Sequence, residues 1–181
     1  MDVEQAIRTR RSHKLFTGET LPDAELRRLV ELATWAPNHK FTEPWRFSVL
    51  PQDHFAGLHA AIDASVDSPK AAEKAAKIHG IVNGAGACIA VRQVRSPQDA
   101  ERDREDYAAC CCAIQNIQLA AWASGWASFW TTSVGWLGGP LRAFWHCAAD
   151  EDIVGVIVLG QAAMDMPAIR HKTLDEVTTW L

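Results

Sequence analysis

The sequence is organised around a stretch that regular secondary structure cannot occupy, Trp35-Ala36-Pro37-Asn38-His39-Lys40-Phe41-Thr42-Glu43-Pro44-Trp45. Its two prolines each lack a backbone N–H and each restrict the preceding residue, so a continuous helix is excluded. The stretch nevertheless gathers two tryptophans, a histidine, a lysine and a hydroxyl, a set that a plain connector does not need. The pattern predicts a rigid loop that presents side chains to a ligand. An ordinary turn built on Pro and Asn is the alternative.

The apolar periodicity on either side of this loop predicts more helices than strands. Strands are expected at 46–50, 86–94, 126–130 and 152–159. Helices are expected at 3–9, 23–34, about 53–66, 107–124 and 141–147, and residues 67–83 are expected to form a solvated helix or a lid. The run 152–159 is apolar on both faces, so we expect it inside the sheet. Residues 95–106 are expected to form an exposed, charged connector.

The composition restricts the class of protein. The chain has 181 residues, of which 48% are hydrophobic and 22% charged, as in one ordinary globular domain. A net charge of −4 disfavours general nucleic-acid binding, which requires a basic face. No apolar run approaches the roughly 18 residues of a membrane helix. The start Met-Asp-Val-Glu is acidic and resembles neither a secretion signal nor a transit peptide, so we expect a cytoplasmic protein.

The cysteines and histidines do not predict a metal site. Three of the five cysteines are consecutive, Cys110-Cys111-Cys112, and neighbouring residues on a helix point about 100° apart. We expect all five cysteines to be small buried residues in a reducing compartment. The seven histidines lack the spacing of a zinc hydrolase. Glycine-rich nucleotide loops and a nucleophilic serine elbow are also missing from the sequence.

Two clusters of basic residues lie far apart in the sequence. The first is Arg8-Thr9-Arg10-Arg11-Ser12-His13-Lys14, and the second is Arg170-His171-Lys172. Guanidinium, ammonium and hydroxyl groups together form a good receptor for a phosphate or another anion. The two clusters can therefore meet around one dianionic phosphate. Cations at the end of the first helix would also suit the helix dipole, which is the alternative for Arg8 and Arg10.

Four motifs, in this order, resemble those of the nitroreductase-type flavoproteins, and most of all their compact YdjA-like branch. They are Arg10-Arg11-Ser12 with Lys14 and Phe16, the loop Ala36-Pro37-Asn38-His39 that ends in Pro44-Trp45, the segment 125–133, and a late strand that ends at Gly160. The resemblance covers nearly the whole chain. It implies an α+β three-layer sandwich, with a mixed central sheet flanked by helices, in one domain that spans residues 1–181.

The resemblance also implies an assembly and an activity. Members form an intertwined homodimer with two FMN molecules at the subunit interface, and we expect helix 107–124 at or near that interface. The implied enzyme is an FMN-dependent NAD(P)H oxidoreductase with a ping-pong mechanism. Its electron acceptor would be a nitroaromatic, a quinone or a similar planar small molecule. No catalytic side chain is implied, because N5 of the flavin carries the hydride.

The site residues follow from the same resemblance. Arg10 and Ser12, with Arg11 adjacent, would bind the phosphate and ribityl region of FMN, and Lys14 would reach the N1/O2 edge of the flavin. Pro37, Asn38 and His39 would come from the other subunit. The remaining implied contacts are Trp130, Thr131, Thr132 and Ser133 under the ring, and Arg170 and Lys172 at the phosphate.

Three residues depart from the family pattern, namely Trp35, Glu43 and Thr131. Thr131 replaces a common basic residue, which permits an FMN-binding or storage protein that does not oxidise NAD(P)H. A flavin-consuming relative, in which FMN is the substrate, is the third interpretation. We expect His39 to bind and orient the flavin rather than to act as a proton donor.

Overall fold

Four strands form a sheet at the centre of the protein. The computed structural model describes residues 1–167 and 169–181, and at residues 134 and 137 the main chain alone. The strands are Trp45–Pro51 (β1), Ala87–Val94 (β2), Ala127–Thr131 (β3) and Glu151–Gly160 (β4). The α-helices are Val3–Thr9 (α1), Asp23–Ala33 (α2), Phe55–Asp63 (α3), Pro69–Gly84 (α4), Ala100–Ala123 (α5), Val134–Leu137 (α6) and Pro140–Phe144 (α7).

The strands follow the order β1-β2-β4-β3, and every neighbouring pair is antiparallel. The expected mixed sheet is therefore wrong for these four strands. Two helices connect β1 to β2, and two connect β3 to β4. After each pair of helices the chain is back at the end of the sheet where the previous strand ended, so the next strand runs in the opposite direction. Only α5 connects β2 to β3, which leaves these two strands pointing the same way with β4 between them. A parallel pairing occurs as an isolated bridge between Ser12 and Ser128.

Both faces of the sheet are covered by helices, which confirms the predicted α+β sandwich. Side chains of β2 alternate between two hydrophobic clusters. One face packs Ile89 and Val91 against α2 and α5, and the opposite face packs Cys88 and Ala90 against α3, α4 and α7. The inner position expected for residues 152–159 is also confirmed, because β4 has a neighbour on each side.

Helix α5 begins earlier than the sequence predicts. Asp99 caps it, since its carboxylate accepts a hydrogen bond of 3.0 Å from the N–H of Arg102. Glu101 and Asp103 lie in the first turn, where negative charge is favourable. The prediction of a connector through residue 106 is therefore wrong, because acidic residues that resemble a solvated loop also begin helices well.

Two further expectations need correction. Helix α4 is not simply solvated, because it buries Ala75, Ile78 and Val82 against the core beside the sheet. The cysteines are not all buried: Cys88 and Cys110 are, whereas Cys112 is exposed on the outer face of α5. Burial raises the pKa of the Cys110 thiol to about 12, which keeps it protonated and unreactive.

Helices α3 and α4 are joined by a pair of histidines. Nδ1 of His59 lies 2.5 Å from Nδ1 of His79, and Nε2 of His79 lies 2.8 Å from the Asp63 carboxylate. In such a contact one proton lies between the two ring nitrogens. A second proton would give the rings a positive charge at close range, which is unfavourable. Burial lowers the pKa of His59, His79 lowers it further, and Asp63 raises it. The fold therefore favours the neutral form of His59.

We expect acid to weaken the fold through this pair. Because the folded-state pKa of His59 lies below its unfolded value of about 6.5, neutral His59 stabilises the fold above that pH. This contribution is lost as the pH falls through the folded-state pKa. The urea midpoint should be lower at about pH 5 than at pH 7, and the difference should shrink in His59→Gln. His54→Gln, at an exposed histidine nearby, is the control. An unchanged difference in His59→Gln would contradict this account.

Candidate functional site

The structure brings the two basic clusters together. Arg8, Arg10, Arg11 and Ser12 line a cavity of about 470 Å³ whose remaining wall is formed by Ile169 and Arg170. We call this cavity the basic pocket. Lys172, which the sequence analysis placed with Arg170, is exposed and does not line it. Three arginines and a serine from the start of the chain thus share one cavity with Arg170 from its end.

The guanidinium groups of the basic pocket have hydrogen-bonding capacity to spare. Nη1 of Arg10 and Nε of Arg11 are buried without a partner. Arg11 donates from Nη1 to the carbonyls of Arg8 and Arg10, at 2.8 and 2.7 Å. Burial lowers the pKa of Arg10, and the charge of Arg11 lowers it further. Among the described residues no carboxylate pairs with either group, so an anion is the ligand that this pocket lacks.

From the basic pocket a row of candidate residues follows strand β3. Ser12 pairs with Ser128, whose carbonyl accepts a hydrogen bond of 3.0 Å from the N–H of His13. Nζ of Lys14 lies 4.8 Å from the centre of the Phe129 ring. The strand ends at Thr131, about 10 Å further along at the usual rise per residue.

The turn after β3 is shaped by its own side chains. The N–H of Ser133 donates to the Thr131 hydroxyl at 3.3 Å, and this hydroxyl belongs to a buried side chain. Thr132 and Ser133 are exposed. The Thr131 hydroxyl is thus occupied inside the turn, whereas those of Thr132 and Ser133 face the outside.

Trp130 has a packing role. Its indole packs against the core on the α2 and α5 side of the sheet, and a Cβ atom at Gly155 would lie only 2.1 Å from its Nε1. The ring therefore covers the strand next to its own, and its Nε1 is buried without a partner. A contact of Trp130 with a cofactor stays a prediction.

The loop that contains Pro37, Asn38 and His39 is tied down by side chains. Asn38 accepts a hydrogen bond of 3.1 Å from the N–H of Glu43, and Thr42 donates one of 2.5 Å to the buried carboxylate of Asp106. Between these ties the backbone takes left-handed φ angles, 52° at Lys40, 54° at Phe41 and 42° at Glu43. Such angles are unfavourable for residues other than glycine. This loop also holds Phe41 with 91% of its surface exposed.

This loop and the basic pocket lie at opposite ends of α5. Thr42 contacts α5 at Asp106, whereas Thr9, at the end of α1, accepts a hydrogen bond of 2.8 Å from the indole of Trp122. The two contacts are 122 − 106 = 16 residues apart, or about 24 Å at 1.5 Å per residue. Pro37 and His39 are exposed. Within one chain, the loop residues therefore do not join Arg10 and Ser12.

Two residues of this region escaped the sequence analysis. Asp106 had been assigned to an exposed connector, yet it is buried and anchors the loop through Thr42. His13 had been included in the first basic cluster without a role of its own, yet only 3% of its surface is exposed. Both burials depend on contacts distant in sequence, and no local pattern signals them.

Two kinds of feature are missing from the part of the chain that the structure describes. Within residues 1–167 and 169–181, no three His, Cys, Asp or Glu side chains are arranged to hold a metal ion. The helices of those same residues include none long and apolar enough to span a bilayer.

Comparison with known proteins gives consistent matches. The model of the "Nitroreductase family" matches residues 7–161. "Putative NAD(P)H nitroreductase YfhC" of Bacillus subtilis is 31% identical over 132 residues, which cover 71% of this chain and 68% of the relative. "Putative NAD(P)H nitroreductase YdjA" of Escherichia coli K12 is 25% identical over 165 residues, 88% of each chain.

Solved structures agree over the full length. The crystal structure of a nitroreductase-like family protein from Bacillus cereus has a TM-score of 0.90 at 26% identity, and the match covers 100% of this chain and 96% of that one. A "putative nitroreductase in complex with fmn" from Desulfovibrio desulfuricans has a TM-score of 0.75 at 27% identity, with 100% and 97% covered.

Proposed function

This chain belongs to the nitroreductase family, and on that premise we propose that it is an FMN-dependent NAD(P)H oxidoreductase of the cytoplasm. It would pass electrons by a ping-pong mechanism to a nitroaromatic, a quinone or a similar planar acceptor. The proposal rests chiefly on the basic pocket, where buried nitrogens of Arg10 and Arg11 lack partners and Arg170 joins them. A phosphate dianion has the charge and the acceptor oxygens that such a pocket requires.

The contacts to FMN would come from the basic pocket and from the residues along β3. Arg10, Arg11, Ser12 and Arg170 would hold the phosphate of FMN, and Lys14 would place a positive charge beside the ring. The turn Thr131-Thr132-Ser133 would support the ring from beyond the end of β3. When bound, FMN supplies the hydride chemistry, so these residues need only bind, orient and tune it. A cation beside the ring favours the negative charge that reduction creates.

The other half of the site would come from a second copy of the chain. In a two-fold dimer with antiparallel α5 helices, the Asp106 end of one helix approaches the Trp122 end of the other. That arrangement would carry Pro37, Asn38 and His39 to the partner's basic pocket. The outer face of α5 exposes Tyr107, Ala108, Cys112 and Gln115, and the chain after β4 exposes Leu174, Val177 and Trp180. Exposed apolar side chains of this kind support an intertwined homodimer.

A second candidate function is FMN binding without NAD(P)H oxidation. It is favoured by Thr131, whose hydroxyl is buried and occupied by the N–H of Ser133. Thr131 also stands where a basic residue is common in the family, so this chain lacks a positive charge that would attract an acidic nicotinamide nucleotide or substrate.

The visible absorbance of the purified protein tests the function. We expect yellow protein whose flavin absorbance is bleached anaerobically by NADH or NADPH and restored by a nitroaromatic or a quinone. A yellow protein that neither nucleotide bleaches would be a binding or storage protein. Loss of the flavin in air, with a new product in the mass spectrum, would identify the flavin-consuming reaction instead. Colourless protein that takes up no added FMN would exclude all three.

Co-expression of two inactive variants tests the shared site. Arg10→Ala removes the phosphate half, and the double variant Asn38→Ala/His39→Ala removes the loop half. In a random mixture half of the dimers are mixed, and each mixed dimer has one intact site, so about a quarter of all sites should bind FMN. Arg10→Ala co-expressed with Ser12→Ala is the matched control, and it should recover nothing because both changes affect the same half. Equal occupancy in the two mixtures would mean that each chain builds its site alone.

A further inference from the structure

His13 is buried next to the basic pocket, although its own side chain does not line the cavity. It follows Ser12, its N–H is bonded to Ser128, and its ring stacks on Trp122 with centroids 5.6 Å apart and planes 21° apart. Only 3% of its surface is exposed, and its Nε2 is buried without a hydrogen-bond partner. A buried imidazole nitrogen with nothing to bind is costly, and the stacking on Trp122 holds the ring in place.

The chain that follows His13 runs antiparallel to the chain that leads into the C-terminal tail, which we define as residues 164–181. Just before the tail, Phe16 pairs with Ala162, and the N–H of Ala163 donates to the carbonyl of Leu15 at 3.1 Å. The described part of the tail makes hydrogen bonds only within itself. His13 thus lies close to the point where this pairing ends, before the tail reaches the pocket at Ile169 and Arg170.

Opposing charges act on His13. Burial lowers its pKa most, the Asp165 carboxylate raises it, Arg10 and Arg11 lower it, and the Met164 main chain raises it. With only cations in the pocket the balance favours a neutral ring. A bound dianion would cancel the effect of the two arginines, so the pKa of the ring would be higher in the complex than in the free protein.

We infer that His13 is a positioning residue that couples the basic pocket to the tail: a phosphate monoester in the pocket brings one proton from solvent onto the imidazole. The charged ring then holds Asp165, and the tail keeps Arg170 over the phosphate. This inference rests on the proposed function for its natural ligand, FMN, but any phosphate dianion should produce the same coupling.

The coupling has a defined sign. Because the bound state holds the extra proton more tightly, affinity for the dianion rises as the pH falls through the His13 pKa of the complex. It levels off below the pKa of the free protein. The phosphate of FMN has its own pKa near about 6, which acts in the opposite direction and is common to wild type and variants.

NMR titration of the histidine rings is the direct test. The His13 signal is identified by its loss in His13→Gln, and its midpoint is followed with FMN, with inorganic phosphate and with no ligand. We expect FMN or phosphate to raise the midpoint by about half a unit or more, and riboflavin, which lacks the phosphate, to leave it unchanged. Asp165→Asn should lower the midpoint of the ligand-free protein, whereas Asp175→Asn, at an exposed residue further along the tail, should not.

The outcomes separate this inference from the proposed function. If FMN binds and the His13 midpoint does not move, the coupling is wrong and the proposed function stands. If FMN fails to bind but inorganic phosphate moves the midpoint, the function is wrong and the coupling stands. An Asp165→Asn midpoint equal to that of wild type would also overturn the coupling. Asp165 is exposed, so Asp165→Asn can still be measured if His13→Gln does not fold. The His13 signal is then identified by its loss in His13→Asn.

Discussion

Replacing Arg10 by alanine is expected to weaken FMN binding by about 2–4 kcal/mol, or roughly 30- to 1,000-fold. The reason is the buried Nη1, which has no partner in the protein and would donate to a phosphate oxygen. The loss should be seen when flavin-free protein is titrated with FMN and the quenching of flavin fluorescence is followed.

Two comparisons make the Arg10 result specific. Arg27→Ala removes an exposed guanidinium on α2, far in sequence from the basic pocket, and should leave the affinity unchanged. Riboflavin lacks the phosphate, so Arg10→Ala should bind it as well as wild type does. Wild-type affinity of Arg10→Ala for FMN would remove this residue from the site. An equal loss with riboflavin would show that the substitution damages the fold instead.

Replacing Gly155 by alanine is expected to lower the free energy of unfolding by about 2–3 kcal/mol. The new Cβ would lie 2.1 Å from Nε1 and 2.8 Å from Cδ1 of Trp130, and 3.0 Å from the carbonyl of Thr131. The indole is wedged over β4 and must move, and it can do so only by disturbing the core beneath α2 and α5. Urea denaturation of wild type and variant measures the difference.

A matched glycine and a rescue substitution accompany this measurement. Gly80 lies on the exposed face of α4, and a Cβ atom added there would meet no other atom within 4 Å, so Gly80→Ala should raise stability by up to about 1 kcal/mol. Trp130→Leu should remove most of the clash, so the double variant should lose less stability than the two single variants added together. Simple additivity would mean that the Trp130 ring does not occupy the space above Gly155.

Local signals were sufficient for most of the secondary structure. The first helix begins after Asp2, as its capping side chain predicts, and it ends at Thr9 as expected. The apolar run 152–159 predicted an inner strand, and β4 is one. The prediction was wrong at the start of α5, because the charges that follow Asp99 suit an exposed loop and a helix N-terminus equally.

For the candidate site, the residue types could be chosen from the sequence, but their arrangement in space could not. Arg10, Ser12 and Arg170 could be chosen because guanidinium and hydroxyl groups suit phosphate. Their convergence depends on the path of the chain after β4, which no local pattern describes. The burial of His13 against Trp122 and of Asp106 beneath Thr42 depends equally on packing between distant segments. The resemblance implied that the loop with His39 acts on a partner's flavin, and the 24 Å or so along α5 is the physical reason for that proposal.

The length of α5 has a consequence for symmetry. In the proposed dimer the two-fold axis must pass midway between the contacts at Asp106 and Trp122, which is (106 + 122)/2 = 114. Ile114 itself is buried, so the exposed neighbours Cys112 and Gln115 would each lie close to their own copies. A substitution at either position therefore changes both partners of one contact beside the axis. A substitution at Arg10 or His39 instead changes two separate places, one on each side of the axis.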